Sequence, residues 1–357
     1  MSYKLLAINP GSTSTKIAVF EDENQVFIKN IKHSAEEISK FPNVASQFQY
    51  RKEIILSELK QAGFDVNGFS AIVGRGGLVK PIESGIYEVN AAMIHDLQNP
   101  VLGEHASNLG GLIAADMVKE MKNGAKAYIA DPVVVDEMEK IARYSGHPDF
   151  QRVSIFHALN QKAIARTYAL EAGKKYEDLN LIVAHLGGGI SVGAHRKGRV
   201  IDVNNALDGE GAFSPERSGT LPTGVLVDLC FSGKKTKAEI KKMLMGAGGM
   251  VAYLGTNDAY EVELKAKEDP EWAMVQDAMC YQIGKEIGAM SAVLHGQVDA
   301  ILITGGIARG KVVTDYITEM VKFIAPVKVY PGEDEMRALA MNGLMVLKGE
   351  VKSKEYK

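Results

Sequence analysis

Short apolar runs separated by polar, glycine-rich turns dominate the pattern of this chain. Residues 5–8 and 17–20 flank a polar first turn at 9–16, and residues 181–184 and 190–194 flank a second turn at 187–189. Apolar runs of this length around Gly, Pro and Ser predict β-hairpins. Because the two hairpins lie about half a chain apart, the pattern predicts a duplicated domain.

Helical spacing of the apolar positions appears between and after the hairpins. It predicts helices over residues 156–170, 236–245, 272–295 and 335–347. A further buried strand at 299–304 leads into a third turn at 305–310. Strands that alternate with helices predict an α/β fold.

The hairpins also predict how the chain divides into domains. We expect domain I at residues 1–150, joined by the C-terminal helix segment 331–357, and domain II at 151–330. Each domain then holds one hairpin. A chain of 357 residues is long enough for two domains of ordinary size.

Composition narrows the class of protein. The chain is 46% hydrophobic with a net charge of −3, which offers no basic surface for nucleic acid or an acidic membrane. Cys230 and Cys280 form neither a disulfide framework nor a metal-ligand spacing. Residues 1–10 predict a strand rather than a signal peptide, and no apolar run reaches membrane-spanning length. We therefore expect a cytoplasmic protein.

The first turn carries candidate phosphate ligands. Backbone N–H groups and hydroxyls in such a loop can cradle phosphate oxygens, and a lysine adds charge. The alternative is an ordinary polar hairpin. The candidates are Gly11, Ser12, Thr13, Ser14 and Lys16.

The second turn consists of Gly187, Gly188 and Gly189, which let a ligand approach the backbone or simply form a tight turn. It fits a dinucleotide fingerprint poorly, because Val192 stands where the third glycine is required.

The third turn begins like a P-loop, but Val312 replaces the hydroxyl residue that would hold magnesium. We interpret it instead as a turn on which adenine or ribose lies, formed by Gly305, Gly306 and Ile307.

Together the three turns resemble the plan of the actin/sugar kinase/Hsp70 superfamily, and within it the chain resembles the acetokinase family. The resemblance covers nearly the whole chain, through NPGSTSTK at 9–16, VGRGG at 73–77, NPVLGEHASN at 99–108, DP at 131–132, FH at 156–157, HLGGGIS at 185–191 and SPERSG at 214–219. It implies a duplicated actin-like, ribonuclease H-like fold of two domains with a nucleotide in the interdomain cleft. It also implies Mg²⁺ with ATP or ADP, and a homo-oligomer, dimer or higher.

The resemblance further implies an ATP-dependent kinase for a short-chain fatty acid. The expected reaction is reversible, direct in-line transfer that converts butyrate and ATP to butyryl phosphate and ADP. A carboxylate is already an anion near neutral pH, so it needs cations and positioning rather than a base. Isobutyrate, acetate and propionate remain alternative acceptors.

Two other classes compete with this interpretation. A sugar or glycerol kinase would need an aspartate base such as Asp131. A non-catalytic module, such as a filament subunit or an Hsp70-like ATPase, would not transfer phosphate to a small acid. The paired arginines described next favour an anionic acceptor.

By resemblance, Arg75 and Arg217 match the active-site arginines of the family, and a guanidinium fork suits carboxylate and phosphate oxygens. His157 matches a histidine that donates to the transferring phosphoryl group. His185 contacts phosphate or orients the second turn, and Asn9 contacts phosphate or metal.

Asp131 follows an apolar run and matches an aspartate that serves magnesium. A second acid is expected just before the last helix, and Glu333, Asp334 and Glu335 are the candidates. Acids at this position also favour a helix N-terminus for electrostatic reasons, which is the alternative explanation.

The expected acyl pocket contains Gly76 and Gly77, where acetate kinases have two valines, and His105 from a nearby loop. Loss of two branched side chains predicts room for acids of about four carbons, worth roughly 0.8 kcal/mol per buried methylene. Valine at position 77 is then expected to lower activity on butyrate relative to acetate or propionate. The alternative is that other residues close the space.

Overall fold

A computed structural model describes residues 2–100 and 102–357, so Met1 of the predicted first strand and Val101 of the 99–108 motif lie outside the described residues. The chain forms two compact units. Unit 1 consists of the chain up to Val135 together with Asp334–Lys357, and unit 2 is Asp136–Glu333. The described ranges contain no helix that is long and apolar enough to cross a bilayer.

Unit 1 contains a six-stranded mixed sheet. Its strands are β1 (Lys4–Pro10), β2 (Ser14–Glu21), β3 (Asn24–Lys32), β4 (Ala71–Arg75), β5 (Ile86–Glu88) and β6 (Lys126–Ala130). The spatial order is β3-β2-β1-β4-β6-β5. β1 to β3 form an antiparallel meander, and β4 and β6 continue the sheet in parallel to β1. The predicted first hairpin is confirmed.

Unit 2 contains a five-stranded sheet of β7 (Asn180–Leu186), β8 (Ile190–Arg196), β9 (Arg199–Val203), β10 (Ala300–Gly305) and β11 (Val327–Pro331). Its order is β11-β10-β7-β8-β9. An antiparallel meander is again followed by two parallel strands beside its first strand. The connectivity matches that of β1-β2-β3-β4-β6, so the predicted duplication is confirmed.

Twelve α-helices occupy the described ranges. They are α1 (Ala35–Ser39), α2 (Phe48–Gln61), α3 (Ala91–Gln98), α4 (Asn108–Glu120), α5 (Ala158–Glu171), α6 (Thr223–Phe231), α7 (Lys237–Leu244), α8 (Gly249–Leu254), α9 (Ala259–Lys265), α10 (Pro270–Val293), α11 (Lys311–Val321) and α12 (Glu335–Leu347). The four predicted helices correspond to α5, α7, α10 and α12.

Burial on both faces explains why the central strands read as continuous apolar runs. On one face of the unit 1 sheet, Leu6 and Ile8 share a core with Ile55 of α2. On the other, α12 packs so closely that a Cβ on Gly343 would meet Val73 and Leu5. The last helix is therefore part of the first unit, and it brings its own N-terminus to the ends of β1 and β4.

The units divide at Val135 and Glu333, whereas the sequence led us to expect boundaries at 150 and 331. Residues 136–150 join unit 2 because Glu137 forms a buried ion pair with Lys162, 2.6 Å between Oε2 and Nζ. The N–H of Glu139 also donates to the carbonyl of Ile201 in β9. Both contacts join segments that are distant in the sequence, so a boundary placed from the positions of the hairpins misses them.

Candidate active site

The first turn presents its hydroxyl residues outward. Residues 11–13 link β1 to β2, and Gly11 N–H donates to the Ser14 carbonyl at 2.7 Å. Ser12, Thr13 and Lys16 are exposed, and Ser14 is half-buried. The side chains predicted to bind phosphate are therefore accessible. The structure adds a residue that the sequence analysis missed, Arg51 of α2, which supports this turn from inside unit 1.

Arg75, Asn9 and Glu335 form a hydrogen-bonded cluster in unit 1. Arg75 Nη1 lies 2.9 Å from Glu335 Oε1 and 3.3 Å from Asn9 Oδ1. The Asn9 amide also donates to Glu335 Oε2. The parallel pairing of β1 with β4 places Asn9 and Arg75 at neighbouring strand ends. The cluster thus unites three of the predicted residues, and its arginine is held in place by an acid and an amide.

The three acids at 333–335 have separate partners. Asp334 accepts the N–H of Arg337 at 3.0 Å and caps α12. Glu335 binds Arg75, as described above. Glu333 belongs to unit 2, where its Oε2 lies 3.5 Å from His185 Nε2. The helix-capping alternative therefore applies to Asp334, which leaves Glu333 and Glu335 as the acids with partners among the predicted site residues.

Asp131 is buried directly after β6, with 1% of its surface exposed. Its Oδ1 accepts from Ser84 Oγ at 2.6 Å and from Gly85 N–H at 2.8 Å. Its φ of +36° is a conformation that non-glycine residues adopt at a cost. These contacts fix the carboxylate. Within residues 2–100 and 102–357, no three His, Cys, Asp or Glu side chains are grouped as a metal site.

The space expected beside Gly76 and Gly77 is filled by protein atoms. A Cβ on Gly77 would stand 2.3 Å from Asn108 Oδ1 and 2.5 Å from Asn108 Cα, and one on Gly76 would stand 2.6 Å from Pro132 Cβ. The Asn108 side chain is itself held by the N–H of Leu78. The expectation that these glycines open a pocket is therefore wrong for this structure, because they serve close packing against α4 and Pro132.

His105, the third residue of the expected acyl pocket, is exposed. Its Nδ1 lies 2.8 Å from Ser107 Oγ, at the residue that precedes α4. This contact ties the ring to the start of the helix. Its assignment to the acyl pocket stays a prediction.

In unit 2, the Arg217 guanidinium packs against the second turn. A Cβ on Gly189 would lie 2.0 Å from Arg217 Nη1, so only glycine leaves room for the guanidinium. Nη1 donates to the carbonyl of Ala206. Nε is buried and has no hydrogen-bond partner in the described part of the chain. Burial lowers the pKa of Arg217 from its ordinary value, and the group stays a cation near neutral pH.

His157 and His185 stack face to face, with ring centroids 3.8 Å apart and planes 13° apart. His157 precedes α5, and His185 is the penultimate residue of β7. Asn160 Oδ1 lies 2.8 Å from His185 Nδ1. A Cβ on Gly187 would approach His185 Nε2 to 3.0 Å. The pair therefore lies directly beside the second turn.

A buried chain of hydrogen bonds leads towards His157. Gln161 Nε2 donates to the Ser191 carbonyl at 3.0 Å, which fixes the amide orientation and turns Oε1 towards His195 Nε2 at 2.9 Å. His195 Nε2 must then donate. Burial, as the largest cause, holds the pKa of His195 well below its ordinary value, so the ring is neutral and its Nδ1 accepts from the Tyr176 hydroxyl.

The same amide determines which nitrogen of His157 carries hydrogen. Gln161 Nε2 also donates to Ser191 Oγ at 2.9 Å. The backbone N–H of His157 donates to the same oxygen at 3.4 Å, so both acceptor positions of Ser191 Oγ are occupied and its own hydrogen is left for His157 Nδ1, 3.1 Å away. An Nδ1 that accepts leaves the hydrogen on Nε2. His157 is thereby held as an Nε2–H donor, the form that hydrogen bonding to a phosphoryl oxygen requires.

The three residues predicted to receive adenosine differ in exposure. Gly305 has φ +98°, and a Cβ there would stand 2.3 Å from the Leu186 carbonyl oxygen. Ile307 is buried in the core of unit 2. Gly306 is exposed, with nothing within 4 Å of its Cβ position. Of these three residues, Gly306 is therefore the one that offers bare backbone to a ligand. Lys311, by contrast, forms an exposed ion pair with Asp315.

Comparison with known proteins gives one consistent family. A sequence profile of the acetokinase family matches residues 150–329. Butyrate kinase 2 of Clostridium acetobutylicum is 58% identical over 100% of both chains, and butyrate kinase 1 of the same organism is 58% identical over 99% of this chain and 100% of its own. Acetate kinase from Porphyromonas gingivalis superposes with a TM-score of 0.80 at 19% identity, covering 97% of this chain and 100% of its own. The latter shows the fold alone.

We predict that Gly77→Ala destabilises the protein. Its Cβ has no space beside Asn108, and such overpacking costs ~1–3 kcal/mol. Gly68→Ala is the matched control, because nothing lies within 4 Å of its Cβ position. Thermal unfolding measures both. A Gly77→Ala protein as stable as the control would restore the open-pocket interpretation.

Gly189→Ala should displace the Arg217 guanidinium and lower kcat/KM for phosphoryl transfer by roughly 100-fold, the effect of a small misplacement at a reacting centre. Gly288→Ala in α10 of the same unit is the control, since nothing lies within 4 Å of its Cβ position and it is not part of the turn. Steady-state kinetics of both variants decide the matter. Equal activities would show that the contact between turn and arginine is dispensable.

Ser191→Ala should release the tautomer of His157. We expect ¹⁵N chemical shifts of the ring to change from Nε2–H alone to a mixture, and kcat to fall about tenfold, less than loss of a whole donor would cost. In a His157→Ala protein, Ser191→Ala should lower kcat almost no further, because Ser191 acts only through the His157 ring. Additive losses would contradict this relation.

Proposed function

The chain belongs to the acetokinase family, and we propose that it catalyses reversible phosphorylation of butyrate by ATP, giving butyryl phosphate and ADP. Kinases of this family use ATP or ADP and a carboxylate. The observation that carries the finer assignment is the 58% identity to two butyrate kinases along essentially the whole of each chain.

The geometry supports a carboxylate acceptor rather than an alcohol. An alcohol needs a general base, and the aspartate considered for that role, Asp131, is buried with Oδ1 engaged by Ser84 and Gly85. An acid needs cations instead. Each unit supplies one arginine fixed by its surroundings, Arg75 through Asn9 and Glu335, and Arg217 through the second turn.

In the proposed reaction, a carboxylate oxygen of butyrate attacks the γ-phosphorus of ATP in line with the bond to the β-phosphate oxygen. That bond breaks, ADP leaves with its electron pair, and no proton has to move. Arg75, which Glu335 and Asn9 hold through Nη1, binds the carboxylate of butyrate through its remaining N–H groups. Arg217 and the Nε2–H of His157 stabilise charge on the transferring phosphoryl oxygens.

Phosphate contacts come from the two hairpin turns in this proposal. The exposed hydroxyls and N–H groups of the first turn and the glycine backbone of the second supply donors without side-chain obstruction. Adenosine lies against Gly306, where the backbone is open. His185 supports His157 through the ring stack and also orients the second turn.

Magnesium is part of the proposal. Asp131, Glu333 and Glu335 are hard oxygen donors of the kind Mg²⁺ takes, but the described residues form no cage of three acids. They fit an ion held mainly by nucleotide phosphates and water, with one or two carboxylates. When bound, the ion would neutralise charge between the β- and γ-phosphates.

We also propose a homo-oligomer and a cytoplasmic location, where ATP is available. Helix α6 supports the former, because it is apolar yet has no buried residue in a single chain, with Val225 69% and Phe231 88% exposed. Exposed patches of this kind mark association surfaces. Light scattering measures the state, and a monomer at micromolar concentration would reject the proposal.

The test of function is a panel of acids with ATP and magnesium, in which acyl phosphate is trapped as hydroxamate. Acetate, propionate, butyrate, isobutyrate, valerate and glycerol are compared by kcat/KM, with ADP release measured in parallel for glycerol. We expect a maximum at butyrate. Arg75→Ala is the control for contaminating kinases.

The outcomes separate the alternatives. A maximum at isobutyrate would assign the chain to branched acids, and one at acetate or propionate would leave the kinase class standing but not the acyl preference. Phosphorylation of glycerol without any acyl phosphate would contradict the proposed function.

A further inference from the structure

Arg51 is a fully buried cation behind the first turn. It lies on α2 with 1% of its surface exposed. Its Nη1 donates to the Gly11 carbonyl at 2.8 Å and to the Ser14 carbonyl at 3.1 Å, and its Nη2 donates to the Ser12 carbonyl at 3.2 Å. One guanidinium thus binds three carbonyl oxygens of a single turn.

The remaining contacts of Arg51 are also uncharged. Nε and Nη2 donate to Gln47 Oε1, and Nη1 donates to Thr15 Oγ1. Among the described residues, no carboxylate contacts the guanidinium. Burial lowers its pKa, though an arginine stays charged in proteins. The positive charge therefore lies inside unit 1 without a compensating acid, an arrangement that is costly unless something else balances it.

The next residue on the same helix shows the usual arrangement. Lys52 is also buried, but its Nζ lies 2.7 Å from Asp116 Oδ2 and 2.6 Å from Glu120 Oε1, both on α4. Two adjacent buried cations thus differ in one respect, namely whether an acid balances the charge. Ordinary stabilisation of α2 explains Lys52 but does not explain why Arg51 has no acid.

The position of Arg51 supplies an explanation. Its donors occupy the carbonyl oxygens on the inner side of the turn, where an anion would otherwise be repelled. The opposite side carries the exposed Ser12 and Thr13. A cation behind the turn and donors in front of it favour a negative group at the surface.

We propose that Arg51 is a positioning residue for the nucleotide phosphates, and that the bound phosphates are the counter-charge which unit 1 itself does not provide. This inference rests on the proposed function, because it takes the first turn as the phosphate site. Arg51 acts through the turn and touches neither the nucleotide nor the acid.

The experiment compares Arg51→Met with Lys52→Met in the full-length chain. Mg·ADP and adenosine are the probes, and calorimetry gives Kd for each. We expect Arg51→Met to weaken Mg·ADP at least about tenfold, in keeping with removal of one buried charge partner. Adenosine, which lacks phosphate, should bind within about twofold of wild type, as should both probes to Lys52→Met.

A purely structural role makes a different prediction. If Arg51 only held the fold together, Arg51→Met would weaken Mg·ADP and adenosine alike, or would match Lys52→Met, and either result would overturn the proposal. Arg51→Lys guards against misfolding of the methionine variant. It keeps the charge with fewer donors, so its Kd for Mg·ADP should fall between those of Arg51→Met and wild type.

The wild-type protein distinguishes failure of the proposed function from failure of the role of Arg51. Wild-type protein that binds no Mg·ADP and forms no acyl phosphate would contradict both proposals together. Wild-type protein that does both, with Arg51→Met unchanged, would contradict the role of Arg51 alone.

Discussion

Parallel pairing of a central strand with its neighbour, β1 with β4 and β7 with β10, brings candidate residues from distant parts of the chain to the same edge of each sheet. Parallel strands end at the same edge of a sheet; the chain leaves β1, β4 and β7 in a turn or loop, and it leaves β10 in a short 3₁₀ helix at Gly306–Arg309. Asn9 and Arg75 meet for this reason in unit 1. In unit 2, the same geometry brings Gly305 against the carbonyl of Leu186, beside the second turn.

Close packing around these strand ends requires glycine at particular positions. A Cβ at position 189 would occupy the space of the Arg217 guanidinium, and a Cβ at position 77 would occupy the space of Asn108. The arginine side chains are fixed by different means. Arg75 is held by an acid, whereas Arg51 and Arg217 contact carbonyl oxygens. Arg51, which no carboxylate contacts among the described residues, is thereby left able to respond to an arriving anion.

Much of this arrangement was predictable from the sequence. The hairpins, the duplication and helices such as α12 follow from apolar periodicity and glycine turns, because both signals are local. The sequence also contains a signal for Arg51. It lies on the buried face of α2 with Ile55 and Leu59, four and eight residues further on. A basic residue on an apolar stripe is a signal that merits attention.

The remainder depends on contacts between distant segments. The sequence could not show that Asn108 fills the space beside Gly77, because the two are brought together only when α4 packs on β4. The sequence also could not distinguish the roles of Glu333 and Glu335. Their partners, His185 and Arg75, are known only from the folded structure. Tautomer control of His157 likewise requires the fold.

The bare backbone at Gly306 has a consequence for nucleotide choice. A glycine offers a ligand only peptide groups, on which the flat face of a purine can lie without contact to the substituents on its edge. With the adenosine placed there as proposed, discrimination between adenine and guanine has no dedicated reader at this position. Any preference for ATP over GTP must then come from side chains outside this position.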